Sequence, residues 1–414
     1  MAPRDINSLK FCFVTTFYPP FSAGGDAVAV QRLARELVKR GHSVTVVHDL
    51  DAFATLNRPA LPIEESADDG VEIVSLQSSI GIASPLIVQQ TGRPLTHQKQ
   101  LKALLNTGRF DVVNYHNASL MGGPGIFAFG GSALRVYTAH EHWLVCPTHV
   151  LWRYKREVCT GKQCVRCQLV YHRPPQLWRH TGLMGACSRD IDVFIAMSEF
   201  SRRKHHEFGF TRAMEVIPPG GGTPDDSGES QSPHLKPYFF FSGRLEEGKG
   251  LQTVLPVLSR FPDLDLLVAG SGSLETELKL QGNRQIVFLG QLPPHSLAPY
   301  YRHAVATIVP SLTYETFGLV IVESLRCGTP VIARDIGPFP DIVTRSGGGI
   351  LYRSEDDLLA AMHRLSNNPA YNAAMGARGR SAFLKYWQDE VTTGAYLETI
   401  QRAMPGARAS SRNS

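Results

Sequence analysis

The chain has 414 residues, 43% of them hydrophobic and 19% charged, with a formal net charge of +5 at pH 7. That length exceeds what one core sustains, so two domains are expected. The charge is too small to imply nucleic acid, and no apolar run approaches the roughly 20 residues that span a bilayer. The opening "MAPRDINSLKFCFVTTF" lacks the apolar core and small-residue cleavage site of a signal peptide, so a cytoplasmic protein is expected.

In chain order, "KFCFVTTF" reads as a first strand, followed by Gly24, Gly25 and the helix "DAVAVQRLARELVKRG". Val30, Leu33, Ala34, Leu37 and Val38 repeat at helical spacing, and Gly41 stops the helix. "SVTVVHD", "VEIVSL", "DVVNYHN", "RVYTAH" and "VFIAMS" are further short strands. The polar, Gly-, Pro- and Ser-rich "PPGGGTPDDSGESQSPHLKP" marks a linker. A second series runs through "YFFFSG", "DLLVAGSG", "IVFLG", "VATIVPS", "TPVIARD" and "GILY". The expected organisation is a first domain over 1–218, a linker over 219–236 and a second domain over 237–384. A final helix over 385–404 and a disordered tail over 405–414 complete it.

Alternating strands and helices predict an α/β chain with two Rossmann-like, doubly wound parallel-sheet domains facing across a cleft. Ligands of such sheets sit at the strands' C-terminal edges, so the strand-to-helix turns are where chemistry is sought.

Within the first domain, an insertion over 146–187 carries Cys146, Cys159, Cys164 and Cys167 in the spacing C-x(12)-C-x(4)-C-x(2)-C. Disulfides do not suit a cytoplasmic chain, whereas four thiolates close a tetrahedral zinc shell, which reads as structural zinc. Free thiols and disulfides are the alternatives. Cys12 and Cys327 look like core residues, and Cys187 is ambiguous. Arg153, Lys155, Arg156, Lys162, Arg166, Arg173 and Arg179 stand here against a single acid, Glu157. Trp152, Tyr154, Tyr171 and Trp178 are interleaved among them. Such a surface suits anionic lipid at the inner face of a plasma membrane, or an anionic acceptor; a solvated insertion is the alternative. Nothing else in the chain supports nucleic acid.

In the second domain, "FFFSGRLEEGKG" places Gly243, Arg244 and Lys249 after the first strand, a pair of cations suited to a diphosphate. In "VATIVPSLTYETFGLVIVESLRCG" a strand ends, Glu315 sits on the loop, and Gly318 opens a helix that carries Glu323 and ends at Gly328. The first N–H groups of such a helix favour phosphate, so carboxylates beside it make sense as acceptors from sugar hydroxyls.

"ETFGLVIVE" resembles the E-x(7)-E signature of retaining nucleotide-sugar glycosyltransferases of the GT-B fold, glycosyltransferase family four. "DVVNYHN", "AMSEFSRRK", "GRLEEGKG", "VAGSG", "VFLGQLP" and "ESLRCGTPVIA" follow in family order over nearly the whole chain. The resemblance implies that Arg244 and Lys249 hold the diphosphate of a nucleoside-diphosphate sugar and offset charge on the leaving group. It implies that Glu323 binds the ribose and that Glu315 contacts the transferred sugar, with the backbone at Phe317, Gly318 and Leu319. The base would lie near Leu292, and Gly24 and Gly25 would let the first-domain loop close over the diphosphate. His116 matches a histidine that faces the donor sugar, although Asn114 stands where the family more often has a second histidine. Asp26, His140 and Glu141 fall on the acceptor side.

The activity so implied is sugar transfer to a hydroxyl of a glycan, a lipid-linked or a small-molecule acceptor, in cell-surface polysaccharide or glycolipid synthesis, with no cofactor required. A nucleotide-sugar epimerase, another enzyme of this fold and a non-catalytic sugar-nucleotide-binding module are the alternatives.

Overall fold

A computed structural model of the chain describes residues 8–22, 24–56, 70–224, 231–282 and 284–404. The expected tail over 405–414 and residues 225–230 of the expected linker lie outside these. The chain divides into two units. The first comprises residues 1–149, 161–220 and 392–414, and the second 150–160 and 221–391.

The first unit is built on a sheet of seven parallel strands. In chain order its first five are β1 (Lys10–Val14), β2 (Ser43–Asp49), β3 (Val71–Leu76), β4 (Val112–Tyr115) and β5 (Leu134–Ala139). A short ribbon of the second unit, β6 (Trp152–Arg153) and β7 (Glu157–Val158), intervenes in sequence before β8 (Val193–Ala196) and β9 (Glu215–Val216) complete the sheet. Its order is β3-β2-β1-β4-β5-β8-β9. β1, β2 and β4 are buried at nearly every position, as in a parallel sheet covered by helices on both faces. The helix Gly25–Lys39 buries Ala27, Val30, Ala34 and Leu37, and its last turn closes before Gly41 at φ 85°.

The last helix, Asp389–Ala403, enters the first unit from Thr392. There the Asn114 side chain of β4 donates to the Tyr396 hydroxyl at 3.0 Å, and the Tyr396 ring lies 6.2 Å from Phe11.

In the second unit six parallel strands follow: β10 (Tyr238–Ser242), β11 (Asp265–Ala269), β12 (Ile286–Gly290), β13 (Ala306–Val309), β14 (Val331–Arg334) and β15 (Gly349–Tyr352). Their order is β12-β11-β10-β13-β14-β15. Both sheets are thus doubly wound, as the strand–helix alternation predicts. Each reverses its winding between its first and fourth strands, β1 and β4 in one unit, β10 and β13 in the other. The loops leaving those two strands diverge to opposite faces and leave a crevice between them, the usual ligand position of an open α/β sheet. Local signals agree with the layout. The helix Glu355–Ser366, for instance, starts at Ser354 with a reciprocal capping box to Asp357.

Candidate functional site

In the second unit the winding reversal brings together the loop after β10, which carries Arg244 and Lys249, and the loop after β13, which carries Glu315. The two loops are stitched by Leu312 N–H donating to the Gly248 carbonyl at 2.8 Å. Lys249 Nζ lies 2.7 Å from Glu315 Oε1, and the Ser311 hydroxyl donates to the same oxygen at 2.7 Å. Arg244 Nη1 lies 3.0 Å from Glu246 Oε1 and is about half exposed. Burial pushes the Glu315 carboxyl up. The Lys249 ammonium, hydrogen bonds from Lys249 and Ser311, and the more distant Arg244 outweigh it and hold the group below its usual value. Glu315 is therefore a carboxylate at neutral pH.

Glycine is required at two places around these side chains. Gly318 is the N-cap of the helix Leu319–Arg326 at φ 142°, and a Cβ there would meet the Phe339 ring at 2.9 Å. Gly270, at φ 145° after β11, would place a Cβ 1.9 Å from the Gly243 carbonyl oxygen. Backbone therefore approaches backbone beside Arg244, and the N–H groups of the Leu319–Arg326 helix open between Glu315 and Glu323. Phe317 is buried. Glu323 sits in that helix, where the buried Tyr301 hydroxyl donates to Oε2 at 3.2 Å. Burial and the Glu323 charge push the Tyr301 phenol far up, so it stays a donor. Leu292 packs against the cluster of Tyr238, Phe240 and Tyr301 below.

In the first unit, His116 and Asn117 follow β4, His140 follows β5, and Gly24 caps the helix that Gly25 and Asp26 begin. His116 Nδ1 lies 2.9 Å from His140 Nε2, and Asn117 donates to Asp26 Oδ2 at 3.2 Å. Burial, and then the neighbouring His140, push the His116 imidazole well below its ordinary range, so it is neutral. Its Nε2 has no hydrogen-bond partner among the described residues. Burial also lowers His140, against the opposing charges of Asp26 and Glu141. Glu141 turns to His149, with Oε1 2.7 Å from Nδ1. Sequence reasoning missed Asn117, Ser311 and Tyr301. The first two stand inside quoted motifs, and Tyr301 carries no local signal.

No disulfide joins the cysteines among the described residues, and Cys12 and Cys327 are buried as expected of core residues. Cys164 and Cys167 lie three apart on the helix Cys164–Val170, Cys146 Sγ is 3.3 Å from Thr148 Oγ1, and Cys159 follows the β6–β7 ribbon of the other unit. Among the described residues, Asp49, Asp51 and His97 bring three potential metal ligands within 4.8 Å of one another. The basic insertion is also less open than its sequence. Arg179 lies over the Trp178 ring at 4.7 Å and donates to the Trp143 carbonyl at 2.9 Å, and Arg153 is paired to Glu157 at 2.7 Å. Burial lowers Arg179 to about 10.

The family model described as "Glycosyl transferases group 1" matches residues 223–382, and "Glycosyltransferase Family 4" matches residues 23–220. The chain belongs to the family 4 glycosyltransferases. Among curated relatives of this glycosyltransferase, the phosphatidyl-myo-inositol mannosyltransferase of Mycolicibacterium smegmatis is 29% identical over 93% of this chain and 91% of its own. The D-inositol 3-phosphate glycosyltransferase of Nocardiopsis dassonvillei is 32% identical over 52% of this chain and 58% of its own. A GDP-mannose-dependent phosphatidylinositol monomannoside mannosyltransferase of Corynebacterium glutamicum is 28% identical over 52% of this chain. That alignment takes in 63% of the relative's length. The chain thus spans only about three fifths of the last two.

Two solved structures share the fold. Sucrose-phosphate synthase from Thermosynechococcus elongatus superposes with a TM-score of 0.71 at 19% identity, over 95% of this chain and 98% of that one. Anabaena HepE, solved with UDP-glucose, gives 0.65 at 17%, over 95% and 99%. The family 4 glycosyltransferase described here is therefore of the GT-B type. Among its described residues, no helix is long and apolar enough to cross a membrane.

Proposed function

We propose that this glycosyltransferase takes a sugar from a nucleoside-diphosphate donor and passes it, with retention at the anomeric carbon, to a hydroxyl of a lipid-linked or polyol acceptor. The observation that carries the reading is the convergence of Arg244, Lys249 and Glu315 on the winding reversal of the second sheet, beside the Gly318 helix end.

The chemistry follows from charge. Breaking the bond to the anomeric carbon leaves negative charge on the diphosphate, and groups fixed where that charge develops lower the barrier most. Arg244 offers a planar fork of N–H donors, Lys249 a point charge, and the Leu319–Arg326 helix its free N–H groups. Glu315, kept ionised by Lys249, accepts from hydroxyls of the transferred sugar. Glu323, oriented by Tyr301, accepts from the ribose. No divalent ion is needed in this scheme, since side chains and helix dipole supply the positive charge. In the first unit, His116 offers Nε2, which has no partner among the described residues, to a sugar hydroxyl, with His140 fixing its ring.

The acceptor class rests on two supports. Curated relatives are named for action on phosphatidyl-inositol and inositol phosphate acceptors. In this chain Ile82 and Leu177 are each about two-thirds exposed. Their segments are joined by Trp178 Nε1 donating to the Gln89 carbonyl at 2.7 Å. Arg166 and Arg173 stand in the same segment as Leu177, and exposed apolar side chains on a basic segment suit peripheral contact with anionic lipid.

A panel of UDP-, GDP- and ADP-sugars in thermal shift tests the donor assignment, because a ligand of the native state raises its melting temperature. One or two should stabilise the protein, and Lys249→Ala should remove the response. Silence towards every nucleotide sugar would sink the proposal. With the donor known, proton NMR of the product's anomeric signal tests retention.

A further inference from the structure

The C-terminal end of β2 carries a group that neither the fold nor the proposed transfer uses. Asp49 ends β2, Asp51 lies in the first turn of the helix Leu50–Ala54, and His97 is the N-cap of the helix Gln98–Leu105. The three side chains are between 0 and 2% exposed. His97 Nε2 stands 3.7 Å from Asp49 Oδ2 and 3.6 Å from Asp51 Oδ2. Those gaps are too long for hydrogen bonds. Asp49 Oδ2 is buried and has no hydrogen-bond partner among the described residues. Ligand atoms about 2.1 Å from a tetrahedral ion stand about 3.4 Å apart, close to the separations found.

The surroundings brace each of the three atoms. Asp49 Oδ1 accepts from the N–H groups of Asp51 and Ala52, at 2.9 and 3.2 Å, which turns Oδ2 into the gap. Asp51 Oδ2 accepts from Ser78 N–H at 2.8 Å. His97 Nδ1 lies 3.3 Å from Gln100 Oε1, an atom that only accepts, which fixes the ring with Nε2 towards the two carboxylates. Ser84 Oγ stands 3.3 Å from Nε2 and 2.6 Å from Thr96 Oγ1, a further oxygen at the edge of the group.

We infer that Asp49, Asp51 and His97 form a binding site for a divalent transition cation of the zinc type, with a structural role. Two carboxylates and a neutral imidazole match a charge of +2, and mixed N/O ligation suits zinc or manganese. The ion would pin the end of β2 to the start of the helix Gln98–Leu105, and backbone bonds carry that brace on to the loop after β1. Asp49 N–H donates to the Thr16 carbonyl at 3.2 Å, and Thr16 N–H in turn donates to the Asn117 carbonyl at 2.6 Å. This site stands apart from the cysteines and does not depend on the transferase reading.

The test is metal analysis by plasma mass spectrometry on the full chain, as wild type, D49N, H97Q and the double variant C164S/C167S. The expected result is about one zinc or manganese per chain in the wild type and C164S/C167S, and loss of that ion in D49N and H97Q. After chelator treatment, ZnCl2 or MnCl2 should raise the melting temperature of the first two proteins only. Should D49N and H97Q fail to fold, cobalt(II) in the stripped wild type decides, because a site of these ligands gives no thiolate-to-metal charge-transfer band. A wild type that holds no metal and responds to neither salt overturns the inference. So does an ion that survives D49N and H97Q but leaves with the cysteines, or a cobalt spectrum with thiolate absorption.

Discussion

Lys249 Nζ and Glu315 Oε1 stand 2.7 Å apart, joining the loops that follow β10 and β13. The two side chains have separate tasks in the proposed transfer, one facing the diphosphate and the other the sugar, yet each holds the other's charge. Lys249→Ala should lower kcat/KM by about 100- to 1,000-fold, the cost of removing one fixed donor to developing negative charge. Glu315→Gln should lower turnover while leaving binding of the bare nucleoside diphosphate equal or tighter, because Lys249 loses a competing carboxylate. Calorimetry with the nucleoside diphosphate separates the two, and weaker binding to Glu315→Gln would contradict the assignment.

Gly318 is held at φ 142° with the Phe339 ring against its Cα. Gly318→Ala should destabilise the chain by roughly 1–3 kcal/mol through backbone strain and contact with Phe339. Donor affinity should fall as well, since this residue positions the helix end. Urea unfolding and a donor titration read the two effects, and an unchanged urea midpoint would refute the strain argument.

The buried amide of Asn114 links β4 to the last helix. It donates to Tyr396 Oη at 3.0 Å and accepts from Thr138 Oγ1 at 3.0 Å. Tyr396→Phe leaves that N–H without its partner, so a loss of about 1–3 kcal/mol is expected in urea unfolding. A variant as stable as the wild type would show that the bond contributes nothing.

Acid should weaken the fold through histidines buried in the neutral form. His116 is pushed well below its ordinary value by burial and then by His140. Burial lowers His205 to about 4, against the Ser201 carbonyl and with help from His206. His142 faces His205 with ring centroids 5.3 Å apart. In each case the unfolded chain, near pKa 6.5, binds a proton that the native state refuses. The stabilisation is complete above pH 6.5 and falls as pH drops towards 4, by about 1.4 kcal/mol per pH unit for each group. Urea midpoints at pH 7.5, 6 and 5 measure it, and a flat series would contradict the burial of these rings.

The sequence by itself determined the strands and the charged and glycine positions of the loops proposed to hold the donor. Buried parallel strands must be apolar runs, as "KFCFV" and "YFFFS" are, and a glycine before an amphipathic helix marks a backbone turn that a side chain would obstruct. These signals are local, carried by residues within a few positions of one another. Tertiary structure alone decided the pairs. It set Lys249 against Glu315 across 66 positions and Asn114 against Tyr396 across 282, and it brought His97 beside Asp49 and Asp51. No periodicity encodes such meetings, because the order in which strands join a sheet, not their order in the chain, sets which loop ends become neighbours.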